Sequence, residues 1–477
     1  MRLLACLLLP LACFAADRPN VLFILTDDQG YGDLSAHGNP VLKTPNLDRL
    51  RAESARLTDY HVSPTCAPTR SALLTGRHEF RNGVTHTIYE RERLTLKATT
   101  LPQVLQAAGY RTGIFGKWHL GDEAEYQPCK RGFDEVFIHG GGGIGQTYVG
   151  SCGDAPGNTY FDPAILHNGR FERTKGFCTD VFFAQATKWI EGEVAAKRPF
   201  YCHLATNAPH APYTAKPEDA ALYAGKAPND QVAHFYGMIH NIDQNVGKLL
   251  ARLEEMGVLK DTLVVFMNDN GTAAGQGVFN AGMRGAKGTA FLGGTRAMAF
   301  WRWPGHLEPR DVDTISSNID FLPTVLALTG TPLPESLRPQ VEGLSLAPFM
   351  TTGPVSILWP NRTLVTHVGR WNRGASPESG KYVGCSVRTD RWQLVSSLQP
   401  GAKAAAIAQG PRWMLFDLKK DYGERTDVAA ENPEVVRQLS AHFEKWWTEV
   451  QPALVNEKAV GPAENPFKVL YRQQMGK

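Results

Sequence analysis

The stretch Cys66-Ala67-Pro68-Thr69-Arg70 sets a thiol and a guanidinium four residues apart at what reads as the start of a helix. Pro68 suits a first helical turn, where its missing N–H would lack a partner anyway, and Gly76 suits a stop. Cys66 is therefore expected just ahead of a helix N-terminus, where free amides and the macrodipole favour an anion, with Arg70 adding a fixed positive charge. A cysteine so placed is a candidate reactive group. The competing reading is a buried or disulfide-bonded cysteine beside a packing helix, and this stretch alone leaves both open.

Four other segments carry groups that could join it. Val21-Leu22-Phe23-Ile24-Leu25 runs into Thr26-Asp27-Asp28-Gln29-Gly30, and Leu263-Val264-Val265-Phe266-Met267 runs into Asn268-Asp269-Asn270-Gly271. Carboxylates directly after a buried strand are costly without a counter-charge. They also stand at the sheet edge where open α/β folds bind ligands. Asp27, Asp28, Asp269 and Asn270 are all oxygen donors, a set suited to Ca²⁺ or Mg²⁺ and lacking the His and Cys expected for zinc. The bland alternative is an Asx turn with solvated acids. In Gly116-Lys117-Trp118-His119-Leu120-Gly121 the alternation lets Lys117 and His119 point the same way. His210, held between Pro209 and Pro212, suits an acid or a base. Lys287 lies in a loop that resembles a phosphate-binding loop only superficially, because no Ser or Thr directly follows it. A cation with Arg70, Lys117 and Lys287 around it would seek a dense anion such as sulfate or phosphate.

The elements that must position these groups alternate between apolar strands and helical patterns. Residues 44–50, 100–108, 180–196 and 230–256 read as helices, the last with Val232, Phe235, Ile239, Ile242, Val246, Leu249 and Leu253 along one stripe. Strands at 21–25, 111–115, 200–205, 262–267 and 296–303 complete an α/β pattern: a large, mostly parallel sheet flanked by helices on both faces. Gly140 to Gly145 formally satisfies G-x-G-x-x-G, but no helical pattern follows, so it reads as a flexible loop and not a dinucleotide site. Residues 143–175 look like an insertion over the sheet edge, suited to substrate contacts. A Pro-rich stretch, 332–360, reads as a link. Beyond it, short strands at 363–368, 382–388, 392–396 and 413–417 and a helix at 433–450 predict a smaller α+β domain with an antiparallel sheet. The expected organisation is a signal peptide at 1–16, a catalytic domain at 17–358 and the smaller domain at 359–477.

Across 477 residues the formal charge is only +3 and no Lys/Arg block occurs, which excludes an electrostatic case for nucleic-acid binding. Residues 1–16 pair one early Arg with an apolar run and a small-residue end, the pattern of a cleaved signal peptide too short to span a membrane. Export to a periplasm or to the outside is expected. Leu11-Ala12-Cys13 is faintly similar to a lipoprotein cleavage site, which Pro10 fits poorly. Cys66, Cys129, Cys152, Cys178, Cys202 and Cys385 remain after cleavage. An oxidising compartment permits pairing, and Cys152–Cys178 is the expected first bridge. No C-x-x-C occurs, so a zinc ribbon is not indicated.

C-x-P-x-R with the following Leu73-Leu74-Thr75-Gly76-Arg77, together with Gly116-Lys117-Trp118-His119-Leu120-Gly121, resembles the type I, formylglycine-dependent sulfatases of the alkaline phosphatase superfamily. The resemblance runs in order through nearly the whole mature chain, to Phe416-Asp417-Leu418 and Asp427-Val428-Ala429. Asn268 departs from it, standing where family members usually carry Ser. The resemblance implies that a separate formylglycine-generating enzyme oxidises Cys66 before folding. It also implies that Asp27, Asp28, Asp269, Asn270 and the modified residue 66 hold Ca²⁺, with Mg²⁺ the second choice. Arg70 and Lys117 would steady the hydrated aldehyde and the sulfate. His119 would take the proton when the aldehyde re-forms, and His210 and Lys287 would meet the leaving oxygen, His210 as the acid. The implied substrate is a sulfate ester, with sulfated carbohydrate favoured by export, and specificity is expected in 143–175 and in the C-terminal part, with His367 and Arg370 as candidates.

Rival readings fit the residues less well. A phosphate or phosphonate ester hydrolase of the same superfamily would favour Thr or Ser at position 66. A thiol phosphatase loop separates its Cys and Arg by five residues, against three here. A non-catalytic glycan-binding relative would not need the complete set of nucleophile, base, acid and metal positions. A serine hydrolase has no G-x-S-x-G to build on.

Overall fold

Leu22 and Ile24 pack on one side of the strand Asn20–Thr26 while Val21, Phe23 and Leu25 pack on the other, all without solvent exposure. Side chains alternate across a strand, so a continuous apolar run is what a strand covered on both faces requires. The structure, a computed structural model, describes residues 18–352 and 358–476. The expected signal peptide at 1–16 and residues 353–357 of the expected link lie outside the described residues.

Asn20–Thr26 lies at the middle of a ten-stranded sheet. Its parallel heart has the order Thr262–Asn268, Asn20–Thr26, Phe200–Ala205, Arg111–Lys117, Glu135–His139. One face is covered by the helices Cys178–Ala195 and Asp230–Glu255 through Phe182, Phe183, Ile190, Met238, Ile242 and Val246. The other is covered by Cys66–Thr75, Leu101–Ala107 and Phe321–Leu328 through Leu73, Leu74, Val104, Leu105 and Phe321. The predicted stripe on Asp230–Glu255 divides in space. Its C-terminal part packs on the sheet, whereas Val232, Phe235 and Ile239 pack with Leu42 and Tyr223.

The sheet edges turn antiparallel. Ala299–Arg302 pairs antiparallel with Thr262–Asn268, and Ala164–His167 with Arg170–Arg173 extends the opposite edge as a hairpin. Part of the expected insertion is therefore sheet. Asn168 and Gly169 connect the two strands with φ of 47° and 84°, the left-handed pair that an Asn-Gly hairpin turn needs.

A separate four-stranded antiparallel sheet has the order Leu364–His367, Cys385–Arg388, Trp392–Ser396, Trp413–Asp417. The helix Pro433–Val450 lays Leu439, Phe443, Trp446 and Trp447 against it, and Phe80 joins their core. His367, expected as a specificity residue, is part of this core. Its ring packs against Phe80, Phe443 and Trp447, and both nitrogens are bonded to backbone groups, at Lys381 O and Gly369 N–H, 2.9 Å each. The last helix, Pro466–Met475, returns to the large sheet, where Phe467 and Tyr471 meet Phe171 edge-on.

The expected Cys152–Cys178 bridge is absent, and all six described cysteines are free. The two thiols face different partners: Cys152 Sγ donates to Thr87 O (3.2 Å) and Cys178 Sγ to Asn207 Oδ1 (3.6 Å). Among the described residues no helix is long and apolar enough to cross a membrane.

Candidate active site

Parallel neighbours in a sheet lie about 4.8 Å apart, so residues just beyond their C-terminal ends are brought together. Here Asp27 and Asp28 follow Asn20–Thr26, Asp269 and Asn270 follow Thr262–Asn268, and Lys117 closes Arg111–Lys117. Asp28 and His119 take left-handed backbone conformations, with φ of 67° and 59°. Such conformations are rare outside glycine and collect at functional sites. The Asp28 N–H donates to Asp269 Oδ1 at 3.1 Å, locking one strand end to its neighbour.

The helix Cys66–Thr75 runs up to this edge with all ten residues buried. It begins at Cys66 itself, one step earlier than the sequence suggests, and ends at Gly76, whose φ of 69° allows its N–H to reach Ala72 O at 2.9 Å. Cys66 Sγ lies 3.2 Å from Asp27 Oδ1 and 3.8 Å from Asp28 Oδ1. Burial and the Asp27 charge push the thiol well above its usual range, outweighing Lys117 and Lys287. The unmodified side chain is thus a neutral thiol, contrary to the thiolate that a helix start alone would favour.

Around it three carboxylates meet three cations. Arg70 Nη2 lies 2.8 Å from Asp269 Oδ2, Lys117 Nζ 2.5 Å from Asp27 Oδ2, and Lys287 Nζ 2.6 Å from Asp28 Oδ2. His210 Nε2 adds a longer contact to Asp28 Oδ2, 3.7 Å. Burial works against the Asp28 charge, but Lys287, His210 and Lys117 outweigh it and hold the group below the ordinary carboxylate range. Asp269 goes the other way, raised to about 6 by burial and by Asp27 despite Arg70. Burial also lowers His210 to about 4, with Asp28 opposing.

His119 is lowered well below the ordinary imidazole range by burial and by Lys117. Its Nε2 lies 2.8 Å from Thr87 O, and a carbonyl only accepts, so the ring proton sits on Nε2. Nδ1 is left as a buried lone pair with no partner.

The ligand atoms of Asp27, Asp28, Cys66 and Asp269 all lie within 4.8 Å of one another. Asn270 donates through Nδ2 to Asp28 Oδ1 and to Gly271 O, 3.0 Å each, while its buried Oδ1 has no partner. A carboxylate trio with an unpartnered amide oxygen fits a hard divalent cation. Asn268, the departure from Ser, ties the Asp269-Asn270 turn to the adjoining strand. Its Nδ2 donates to Asn270 O (2.9 Å) and its Oδ1 accepts from Met298 N–H (2.6 Å).

Several residues at the site do not stand out in the sequence. His139 ends the strand Glu135–His139 next to Lys117, with Nδ1 2.7 Å from Gly140 O and a buried, unpartnered Nε2. Its position directly after an apolar strand is the signal available for it. The glycine run is packed rather than loose. A Cβ at Gly143 would stand 2.8 Å from the His210 ring, and one at Gly142 3.1 Å from His119. Glycine gives the backbone room to approach both imidazoles. Gln146 packs against the same glycines. Tyr89 and Tyr148 meet edge-on at 5.3 Å, and Arg373 lies over Tyr89 at 4.4 Å. Arg370, by contrast, is expected from the sequence as a specificity residue; it is exposed, and its Nη1 comes within 3.7 Å of where a Gly288 Cβ would be, beside Lys287.

A family model described as Sulfatase matches residues 19–331. Arylsulfatase A of Homo sapiens is 32% identical over 459 residues, covering 88% of this chain and 86% of that protein. N-acetylgalactosamine-6-sulfatase of Mus musculus is 30% identical over 466 residues, covering 90% and 86%. Among solved structures, Ps i-CgsB in complex with k-i-k-neocarrahexaose aligns with a TM-score of 0.76 at 26% identity, covering 96% of this chain and 98% of that one.

Proposed function

Given that the chain belongs to the sulfatase family, in the alkaline phosphatase superfamily, and is a sulfuric ester hydrolase, we propose that it releases sulfate from a sulfated carbohydrate using a formylglycine made from Cys66. The observation that carries this reading is the buried Cys66 side chain 3.2 Å from Asp27, enclosed by three carboxylate–cation pairs. A buried thiol beside carboxylates is a poor nucleophile. Formylglycine, when hydrated, supplies two geminal hydroxyls, one to attack sulfur and one to let sulfate leave as the aldehyde returns.

Asp27, Asp28, Asp269, Asn270 and residue 66 would hold Ca²⁺, which supplies positive charge next to the sulfate. Arg70 and Lys117, held by Asp269 and Asp27, are preorganised donors for charge that grows on the sulfate oxygens. His119 accepts a proton from residue 66 through the free Nδ1. His210 donates to the leaving oxygen, and Lys287 stabilises charge there. An anionic sulfate beside the His210 ring favours its protonated form. A sugar alkoxide needs that proton far more than a phenolate does.

Three things support a carbohydrate substrate: the predicted export, the names of the relatives, and the rim. Tyr89 and Tyr148 offer faces for sugar rings, and Gln146, Arg370 and Arg373 offer donors to hydroxyls and anions. Two measurements test the proposal together. Mass spectrometry of the tryptic peptide spanning 57–70 should find the aldehyde at position 66. A screen over sulfated mono- and polysaccharides, with aryl sulfate, phosphate and phosphonate esters alongside, should find turnover only of sulfates. Active enzyme carrying only thiol would overturn the chemistry, and preferred turnover of phosphonate would overturn the substrate class.

A further inference from the structure

A second cluster of metal-ligating groups lies behind the proposed base. His119 Nε2 is 3.5 Å from Glu92 Oε2 and 3.7 Å from Cys152 Sγ. All three ligand atoms are buried and lie within 4.8 Å of one another. From this geometry we infer that Glu92, His119 and Cys152 form a separate site for Zn²⁺.

The spacing carries the inference. Tetrahedral zinc with bonds of about 2.0–2.3 Å sets its ligand atoms roughly 3.3–3.7 Å apart. Both separations from His119 match that edge length without rearrangement. Glu92 is already oriented, because Ser151 Oγ donates to its Oε1 at 2.7 Å. Its Oε2 is buried, unpartnered and turned toward the imidazole. Thr87 O, within 2.8 Å of Nε2 and 3.2 Å of Sγ, or a water is available as the fourth ligand.

Donor chemistry separates this site from the first. Oxygen ligands alone suit Ca²⁺, whereas a thiolate with an imidazole and a carboxylate suits zinc. Entry of the ion is balanced in protons. Burial, with Asp122 nearby, pushes the Glu92 carboxyl well above its usual range, and burial with Glu92 does the same to the Cys152 thiol. Each therefore holds a proton that it surrenders to solvent when the ion enters, while the imidazole proton moves from Nε2 to Nδ1 as Nε2 takes the metal. Two protons leave for one dication, so the buried cluster keeps its charge. Two partly exposed residues adjoin the cluster: Thr87, whose carbonyl meets both Cys152 Sγ and His119 Nε2, and Tyr148, whose N–H donates to Cys152 O at 3.2 Å.

The consequence for catalysis rests on the proposed role of His119. With the proton on Nδ1, the lone pair that would accept a proton from residue 66 is gone. Zinc bound here inhibits sulfate release.

Co²⁺ is the spectroscopic probe, added to full-length protein pre-equilibrated with excess Ca²⁺. A thiolate-to-cobalt charge-transfer band should appear and saturate at one equivalent. It should persist in Cys66→Ala and vanish in Cys152→Ala and in Cys152→Ser, with folding of each checked by circular dichroism. Zinc should displace the cobalt and abolish the band. Absence of a band in the native protein, or a band lost with Cys66 instead of Cys152, overturns the site. Separately, Zn²⁺ should inhibit the native enzyme and spare Cys152→Ser. A cobalt band without inhibition would keep the site and refute only the role of His119.

Discussion

Lys117 is the most informative residue to change, because its amine is wholly buried and spends its charge on one carboxylate. Nζ lies 2.5 Å from Asp27 Oδ2 and neither side chain has solvent exposure. Lys117→Met keeps most of the volume and removes the charge, so little of its effect is a cavity. At an effective dielectric constant of about 20 the lost attraction is roughly 6–7 kcal/mol gross. Breaking a buried pair and stranding one partner costs about 3–5 kcal/mol net. That is the destabilisation expected in chelator, read by urea denaturation. Calcium should then behave differently on the two proteins. A cation that binds only the folded state stabilises by about 2.7 kcal/mol at a hundred times its Kd. Stranded Asp27 should bind the proposed cation more tightly in the variant. Both proteins gain from the same free Ca²⁺, so the gap should narrow by about 1.4 kcal/mol for each tenfold by which the variant binds more tightly, while turnover stays about 10²–10³-fold down for want of a preorganised donor. An identical gap with and without Ca²⁺ would refute the reasoning, because it would mean that the cation does not sit at Asp27.

Three further outcomes are expected. His210→Gln should cost roughly 10²–10⁴-fold in kcat on a sugar sulfate and much less on an aryl sulfate with a stable phenolate; equal losses on both would remove it as the acid. Asn268→Ala strands the buried Asn270 carbonyl and Met298 N–H, at about 1–3 kcal/mol each, and should weaken Ca²⁺ binding measured by calorimetry; unchanged affinity would reduce Asn268 to packing. Glu424 is raised to about 8 by burial, with the Leu292 N–H opposing, so the folded state keeps its proton between about pH 4.5 and 8 while the unfolded state loses it. Stability from this group therefore falls as pH rises through that window, by at most about 1.4 kcal/mol per unit, and Glu424→Gln should flatten the slope in denaturation at pH 5 and pH 8; an unchanged slope would contradict the burial argument.

What is legible in the sequence is whatever is written locally. Apolar runs such as Val21 to Leu25 announce strands buried on both faces, and the polar residues that end them announce the sheet edge where a site forms. Hence Asp27, Asp28, Lys117, His210, Asp269 and Asn270 can be named before their contacts are known. Residue type also bounds the chemistry, since oxygen donors next to fixed cations suit a hard metal and an anion. The Asn168-Gly169 turn is an equally local signal, although the span 143–175 reads as an insertion and not as a hairpin.

The rest is not legible in the sequence, because it depends on distances between residues far apart in the chain and on burial. Which cation pairs with which carboxylate, Arg70 with Asp269 and Lys287 with Asp28, is set by how the helix Cys66–Thr75 and the loop carrying Lys287, tied to Thr272 O and Pro64 O through its backbone, pack over the strand ends. The protonation of Cys66 reverses what its helix position suggests, because desolvation and Asp27 outweigh the dipole. Cys152 and Cys178 do not pair because each thiol is turned to another acceptor, and His367 belongs to an aromatic core. The sequence thus determined which chemical groups reach the edge of the sheet. Folding determined their protonation and their partners, since both follow from through-space fields in a medium that excludes water.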